Sequence, residues 1–192
     1  MRTQERWDET FQYNYIKETF PPRIVQDLEN LNLKFLPQET KSTFIYGKIQ
    51  TGKTIRAACL MVQQAKYCYL NEVERGKHIF VSFPEMLAEI RETFNNPKKP
   101  EHEVMGKYLN AELLTIDDFL TSRPTEWVLD ILYWLINHRY EHLLKTLITS
   151  NIDLEEIEKR MSDQRITSRI NRMCVIEEMT GIKNIPDIDS NG

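Results

Sequence analysis

The chain has 192 residues, of which 41% are hydrophobic and 28% are charged, and its formal net charge is −4. This composition excludes collagen-like, low-complexity and wholly disordered proteins. The acidic balance disfavours a protein that binds nucleic acid tightly, because such proteins usually carry a basic excess. No apolar run approaches the roughly 20 residues that cross a bilayer. We therefore expect a soluble, cytoplasmic protein with a single core.

The hydrophobic pattern divides the chain into a lead-in, a core and a tail. Residues 1–42 mix polar and aromatic side chains and are expected to form a short N-terminal lead-in, a candidate partner-binding segment. Across residues 43–180, β-prone runs alternate with apolar residues at helical spacing. This alternation predicts an α/β domain with a mostly parallel sheet. Residues 181–192 are expected to be a C-terminal tail.

Five short runs are predicted as strands, and helices are expected between them. The predicted strands are residues 43–46, 78–81, 112–116, 146–149 and 174–176. One helix is expected from Thr54 onward and another after the capping-box pattern at residues 82–85. Further helices are expected over residues 125–140, after Asp153 and around residues 166–173. The pattern breaks over residues 95–100.

A phosphate-binding motif follows the first predicted strand. It comprises Gly47, Lys48, Ile49, Gln50, Thr51, Gly52, Lys53 and Thr54, which match G-x-x-x-x-G-K-[ST]. Glycines at both ends allow the backbone to point N–H groups at an anion, and the following helix adds its positive end. Lys53 would contact the outer phosphates of ATP, and the Thr54 hydroxyl would ligate Mg²⁺. The alternative is a chance match in which Lys53 is a surface lysine.

Polar side chains follow two other predicted strands. Asp117 and Asp118 end the third strand, and Asn151 follows the fourth. In a parallel sheet these strand ends should face the phosphate-binding loop. Asp117 would then hold Mg²⁺, Asp118 would orient or deprotonate the attacking water, and Asn151 would position water or the γ-phosphate. Their alternative roles are helix caps and turn residues.

Two basic regions are candidate interaction sites. Arg165, Arg169 and Arg172 flank an apolar stripe, and Arg169 could reach the ATP of a neighbouring subunit, with Arg165 as a second candidate. The alternative is a solvated helix face. A DNA contact is also considered, with a solvated loop as its alternative, at Phe94, Lys98, Lys99, His102 and Lys107.

These motifs, in this order, resemble those of AAA+ ATPases. Four segments are similar to the DnaC/DnaI helicase-loader family and its transposition relative IstB, namely residues 113–119, 136–141, 146–151 and 165–170. The resemblance runs from about residue 43 to residue 179. It implies a five-stranded P-loop core with helices on both faces, which binds ATP and Mg²⁺ and hydrolyses ATP. Hydrolysis is expected to be slow, because the Asp118 side chain is one methylene shorter than Glu. It also implies self-association that brings Arg169 to the next subunit as an arginine finger.

The same resemblance implies a function in DNA replication. Members of the family load a hexameric replicative helicase onto single-stranded DNA and use the ATP state as a switch. One alternative is an IstB-like transposition helper, and another is a nucleotide-binding adaptor or inhibitor without significant turnover. The chain departs from the family pattern at Gln50, which replaces a flexible glycine, and at Asp118, which is shorter than the Glu of some members. The helical lid domain of most AAA+ proteins is expected to be absent.

Overall fold

The computed structural model describes residues 9–31, 35–95, 100–120 and 122–181. The helices in these ranges are α1 (Glu9–Thr19), α2 (Pro22–Asn30), α3 (Lys53–Leu70), α4 (Phe83–Glu92), α5 (Glu101–Leu109), α6 (Glu126–Glu141), α7 (Leu154–Met161) and α8 (Gln164–Met173). The strands are β1 (Thr43–Tyr46), β2 (His78–Ser82), β3 (Leu113–Asp117), β4 (Lys145–Ser150) and β5 (Val175–Glu178).

The five strands form one parallel sheet in the order β2-β3-β4-β1-β5. Phe44 of β1 pairs with Ile148 of β4 and with Ile176 of β5. The predicted α/β class is therefore confirmed, and every described strand pairing is parallel. Because the strands run in one direction, the residues that follow β1, β3 and β4 lie at the same edge of the sheet.

Successive residues of the central strands bury opposite faces of the sheet, as the strand period requires. Phe44 and Ile148 belong to a core that includes residues of helices α4 to α8. Ile45 and Leu147 belong to a second core with helices α1 to α3. Helices thus cover both faces, so the central strands can be almost wholly apolar.

The lead-in packs on the α3 side of the sheet. Tyr15 and Phe20 are buried in the second core, and the Tyr15 ring lies edge-on to the Phe20 ring. The Tyr15 hydroxyl lies 2.8 Å from Nδ1 of His78 at the start of β2. Burial lowers the pKa of His78 to about 3, so the imidazole is neutral at physiological pH. Helix α1 is therefore tied to the sheet by a neutral polar contact as well as by apolar packing.

Predicted helix starts agree with side-chain caps in the structure. Ser82 and Glu85 form a capping box at α4, since the Ser82 hydroxyl accepts from the Glu85 backbone and Glu85 reaches back to Ser82. Thr125 caps α6 and Asp153 caps α7. The structure also adds a helix that the sequence pattern does not identify, because α5 follows the break over residues 95–100. Among the described helices, none is both long and apolar enough to span a membrane.

A buried arginine joins α5 to the sheet. Arg139 of α6 is fully buried, and its Nη1 donates to the carbonyls of Tyr108 and Ala111 at 2.9 Å each. Its Nε donates to the Thr146 hydroxyl at 2.9 Å, and its Nη2 donates to the Lys145 carbonyl at 2.6 Å. Burial lowers the pKa of Arg139 to about 9, so the guanidinium is charged at neutral pH. Its hydrogen bonds are what make this buried charge tolerable.

Candidate functional site

The phosphate-binding loop turns sharply between β1 and α3. Gly47 has φ 154° and Gly52 has φ 90°. A Cβ on Gly47 would collide with the Met179 backbone carbonyl, so a side chain is excluded there. Gln50 has φ 66°, in the left-handed region that favours glycine. The related loop pattern has a glycine where this chain has Gln50, and a glycine would be less strained in this conformation.

Lys53 is folded into this loop at the start of α3. Its Nζ donates to the Lys48 carbonyl at 2.8 Å, and only 6% of the residue is exposed. Burial lowers the pKa of Lys53, while the nearby carboxylates of Asp118 and Asp117 act in the opposite direction. A phosphate oxygen is a stronger partner for an ammonium than a carbonyl is. A phosphate group bound in the loop would therefore compete with Lys48 for the Lys53 ammonium.

Asp117 is the acceptor at the centre of a hydroxyl network. Thr54 Oγ1 donates to its two carboxylate oxygens, at 2.9 and 3.1 Å. Thr149 Oγ1 donates to Oδ1 at 2.5 Å. Burial raises the pKa of Asp117, and the hydrogen bonds from Thr149 and Thr54 oppose that shift. Carboxylate and hydroxyl oxygens are hard donors of the kind that Mg²⁺ prefers, so Thr54 and Asp117 fit this ion.

Asp118 occupies a different environment from its neighbour. Its side chain is exposed, whereas only 7% of Asp117 is exposed. The Asp118 backbone has φ 55°, and its N–H donates to Thr149 Oγ1 at 3.0 Å. Thr149 thus contacts both acidic residues, one through its proton and the other through its oxygen. The Asp118 carboxylate is close enough to Lys53 to act on that ammonium and favour its charged form.

Thr149 is the residue that sequence reasoning missed. Its segment was noted, but the position carried no assigned role. The signal lay in strand register, because Ile148 of β4 is the partner of Ile116 of β3, which places Thr149 beside Asp117. Neighbouring strands must be identified before this signal can be used, and the sequence alone does not give the strand order.

Asn151 lies beside the loop, on the wall of a cavity of about 560 Å³. The loop contributes Gly47, Lys48 and Thr51 to the same wall. The remaining lining is apolar at Tyr46, Ile152 and Met179, acidic at Asp153, Glu156 and Glu178, and polar at Thr180. This volume is in the range of small-molecule sites, and the apolar part suits a base or sugar better than a phosphate.

Arg169 lies on α8, and its described hydrogen bonds are to α6 and α8 instead of the phosphate-binding loop. Its Nε donates to Asn137 Oδ1 at 2.5 Å, and its Nη1 donates to the Arg165 carbonyl at 2.9 Å. Arg165 itself is paired with Asp163, with Nη2 and Oδ2 at 2.8 Å. The structure therefore groups the two arginines with each other and does not join either to the loop of the same chain.

Three of the candidate DNA-contact residues, Phe94, His102 and Lys107, lie in described parts of the chain. Phe94 is 55% exposed and packs edge-on against Trp127. Lys107 donates to Glu89 at 2.8 Å, so its charge is already paired. His102 is exposed on α5, which replaces the solvated loop considered from the sequence. Lys98 and Lys99 lie outside the described residues.

The sheet order, the loop between β1 and α3 and the acidic end of β3 define a P-loop protein with the AAA+ fold. The family model described as IstB-like ATP binding protein matches residues 3–184, and the chain belongs to this family. The expected resemblance to AAA+ ATPases of this group is thereby confirmed. A comparison with curated proteins finds no match.

Solved structures support the fold assignment. The crystal structure of the DnaC helicase loader has a TM-score of 0.59 and 18% identity, over 88% of this chain and 98% of that one. The DnaI structure has a TM-score of 0.56 and 20% identity, over 82% of this chain and 84% of that one. A replication initiator DnaA bound to AMPPCP and single-stranded DNA has a TM-score of 0.57 and 20% identity, over 82% of this chain and 44% of that one.

Proposed function

We propose that the protein is an ATP-dependent loader that places a hexameric replicative helicase on single-stranded DNA. The observation that carries the proposal is the hydroxyl network of Thr54 and Thr149 on the buried Asp117 carboxylate, with the Lys53 ammonium and the exposed Asp118 carboxylate close by. This arrangement has the groups that ATP hydrolysis needs as well as those that ATP binding needs. Membership of the IstB-like family and a fold shared with the DnaC helicase loader support the same function.

Each site residue has a proposed role in nucleotide chemistry. Residues 47–54 hold the phosphates, with the Lys53 ammonium on the β- and γ-phosphates. Thr54 and Asp117 would hold Mg²⁺, which when bound neutralises charge on the phosphate oxygens. Asp118 orients or deprotonates the attacking water, and Asn151 positions that water or the γ-phosphate. Hydrolysis is expected to be slow, because the Asp118 carboxylate stands on a chain one methylene shorter than that of glutamate.

Arg169 is proposed to act on the nucleotide of a second copy of the chain. Its contacts are on α6 and α8, so within its own subunit it is engaged away from the loop. A guanidinium brought to the γ-phosphate of a neighbour would stabilise the negative charge of the transition state. Turnover then requires self-association, which makes the ATP state a property of the assembly.

Two regions are proposed as partner surfaces, one for the helicase and one for single-stranded DNA. The segment 1–42, which includes α1 and α2, is the candidate contact for the helicase, and residues 43–180 form the ATPase core. Phe94 and His102 are the proposed contacts for single-stranded DNA, since both are exposed and the Phe94 ring can stack on a base. The net charge of −4 argues that this DNA contact is weak.

The proposal is tested by helicase transfer onto a single-stranded circle, with the Lys53→Ala variant as the central comparison. That variant should lose ATP binding, because it lacks the phosphate-binding ammonium, and loading should fall to background. Lys66→Ala is the matched control, since Lys66 is also on α3 and also donates to a backbone carbonyl, that of Phe35. Retained tight ATP binding by Lys53→Ala would contradict the site, and loading independent of ATP would contradict the switch.

A transposition helper is the second candidate, because the matching family is described as IstB-like. This function predicts assembly on duplex DNA and capture of a transposase. The loader predicts a preference for single strands and capture of a hexameric helicase. Binding measured in parallel to single-stranded and duplex DNA of equal length, with ATP present, separates the two functions.

A further inference from the structure

Asn137 makes a short hydrogen bond to the arginine that the proposed function requires. Asn137 lies on α6 and its Oδ1 accepts from Nε of Arg169 on α8 at 2.5 Å. It belongs to the segment 136–141, whose resemblance to the loader family is noted above. No role assigned so far uses its side chain. The contact joins two helices that pack directly on each other.

Three contacts fix the Arg169 guanidinium. Besides Asn137, its Nη1 donates to the Arg165 carbonyl at 2.9 Å, and the guanidinium lies 5.1 Å from the Tyr133 ring centre. Within the described part of the chain, Nη2 of Arg169 makes no hydrogen bond. A side chain held at Nε and Nη1 has lost most of its rotamer freedom before it meets a ligand, while its Nη2 end can still donate.

Arg165 shows by contrast why the neutral acceptor matters. Arg165 packs on the same ring, 4.6 Å from the Tyr133 centre, but it is paired with the carboxylate of Asp163. That carboxylate cancels much of the charge of Arg165. The amide of Asn137 holds Arg169 without cancelling its charge. The Asp163 carboxylate acts on Arg169 only at longer range, since its hydrogen bonds go to Arg165. Of the two arginines on this ring, Arg169 is therefore the one that is oriented without a direct carboxylate partner.

We propose that Asn137 is a positioning residue that pre-orients Arg169 toward the ATP of a second copy of the chain. The inference rests on the proposed function, because it needs Arg169 to act between subunits. Asn137 itself touches no nucleotide. Its amide oxygen is a neutral acceptor for Nε of Arg169. The Arg169 side chain is therefore already in one rotamer when its Nη2 end meets a γ-phosphate.

The first test compares Asn137→Ala with Arg169→Ala in steady-state ATP hydrolysis. Asn137→Ala should lower kcat by about tenfold or more, as misplacement of a catalytic group does, while ATP affinity stays within about twofold of the original protein. Asn137→Asp is isosteric but charged, so it should fold normally and still turn over slowly. Asn171→Ala, an exposed asparagine of α8, is the matched control and should behave like the original protein.

Mixed assemblies show which subunit needs Asn137. Lys53→Ala subunits bind no ATP but carry an intact Arg169, so they should restore turnover to Arg169→Ala subunits and equally to Asn137→Ala subunits. Restoration in the second mixture shows that Asn137→Ala folds and assembles. The double variant Lys53→Ala/Asn137→Ala should fail to restore turnover to Arg169→Ala, because its arginine is misplaced in the donating subunit.

The outcomes separate this inference from the function on which it rests. If Arg169→Ala is inactive but Asn137→Ala turns over like the original protein, Asn137 does not position the arginine. The same conclusion follows if the double variant restores turnover to Arg169→Ala as well as Lys53→Ala does. In both cases the proposed function is unaffected. If Arg169→Ala itself turns over normally, the arginine does not act between subunits, and the role of Asn137 is overturned with it. Full activity of Asn137→Asp would contradict the requirement for a neutral acceptor.

Discussion

At the scale of single residues, the buried carboxylate of Asp117 lowers the stability of the folded chain at a position that the proposed function requires. Its burial raises its pKa above the ordinary value of 3.8, although two threonine hydroxyls oppose the shift. Between the ordinary and the raised value the folded chain binds more protons than the unfolded chain does. Stability therefore falls as the pH rises through that window and stays lowered at neutral pH.

Asp117→Asn should consequently stabilise the nucleotide-free protein at pH 7 while abolishing Mg²⁺-dependent turnover. The amide removes the buried charge but retains an oxygen that can accept from Thr54 and Thr149. A gain of about 1 kcal/mol would raise Tm by roughly 2–4 °C in a chain of this size. Thermal melts at pH 7 and pH 4 measure the effect, which should shrink at the lower pH. Asp118→Asn, at an exposed position, should leave Tm unchanged, and a lowered Tm for Asp117→Asn would contradict the account.

Gly47 of the phosphate-binding loop has no room for a side chain. A methyl group there would meet the Met179 carbonyl, and Met179 N–H donates to the Tyr46 carbonyl at 2.7 Å, which holds the end of β5 against β1. Gly47→Ala should therefore cost about 2 kcal/mol or more and weaken ATP binding. Denaturant melts and ATP titration measure the two effects.

Gly106→Ala is the internal comparison for that prediction. Gly106 lies within α5, and a methyl group there would meet only the Asn110 side-chain nitrogen at an ordinary 3.8 Å. The substitution should stabilise the protein by about 0.5–1 kcal/mol, because alanine is the better helix former. Equal effects at the two glycines would show that the collision at Gly47 is relieved by movement of β5.

At the scale of elements, Arg139 holds α5, β3 and β4 in register. Its bonds reach the end of α5 through Tyr108, the residue Ala111 just before β3, and Lys145 and Thr146 in β4. Arg139→Ala would leave several carbonyls buried without donors, so a loss of about 3 kcal/mol or more is expected. Denaturant melts measure it. Arg160→Ala, which removes a half-buried α7 pair with Glu156, should cost less than about 1 kcal/mol.

Helix α5 also shows where sequence patterning fails. It is only nine residues long and carries Gly106 in its interior. A helix this short shows little periodicity, and α5, unlike the short helix α7, has no side-chain cap that marks its start. Glycine also lowers the local helix propensity. The helix is stabilised when its apolar face packs on the rest of the fold, which includes Arg139 and the sheet. The buried residues of that face are Val104, Met105, Tyr108 and Leu109. Tertiary contacts, instead of local preference, specify this helix.

At the scale of the whole molecule, the position of Asp117 near Thr54 was predictable and the contacts that refine it were not. The two residues are 63 positions apart, but both follow strands of one parallel sheet, and ligand sites lie at that edge. Thr149 depends on which strand lies beside β3, and Asn137 depends on how α6 packs on α8. Neither relation is encoded in spacing along the chain, so both needed the structure.

The dependence of ATP hydrolysis on protein concentration tests the central claim most directly. Steady-state turnover is measured over a wide concentration range, with and without single-stranded DNA, and with Lys53→Ala as the blank. The account predicts that the rate rises faster than linearly, because Arg169 acts between subunits, and that single-stranded DNA stimulates it. Turnover at the level of the blank, despite measurable ATP binding, would contradict it and indicate an adaptor that uses ATP for shape alone.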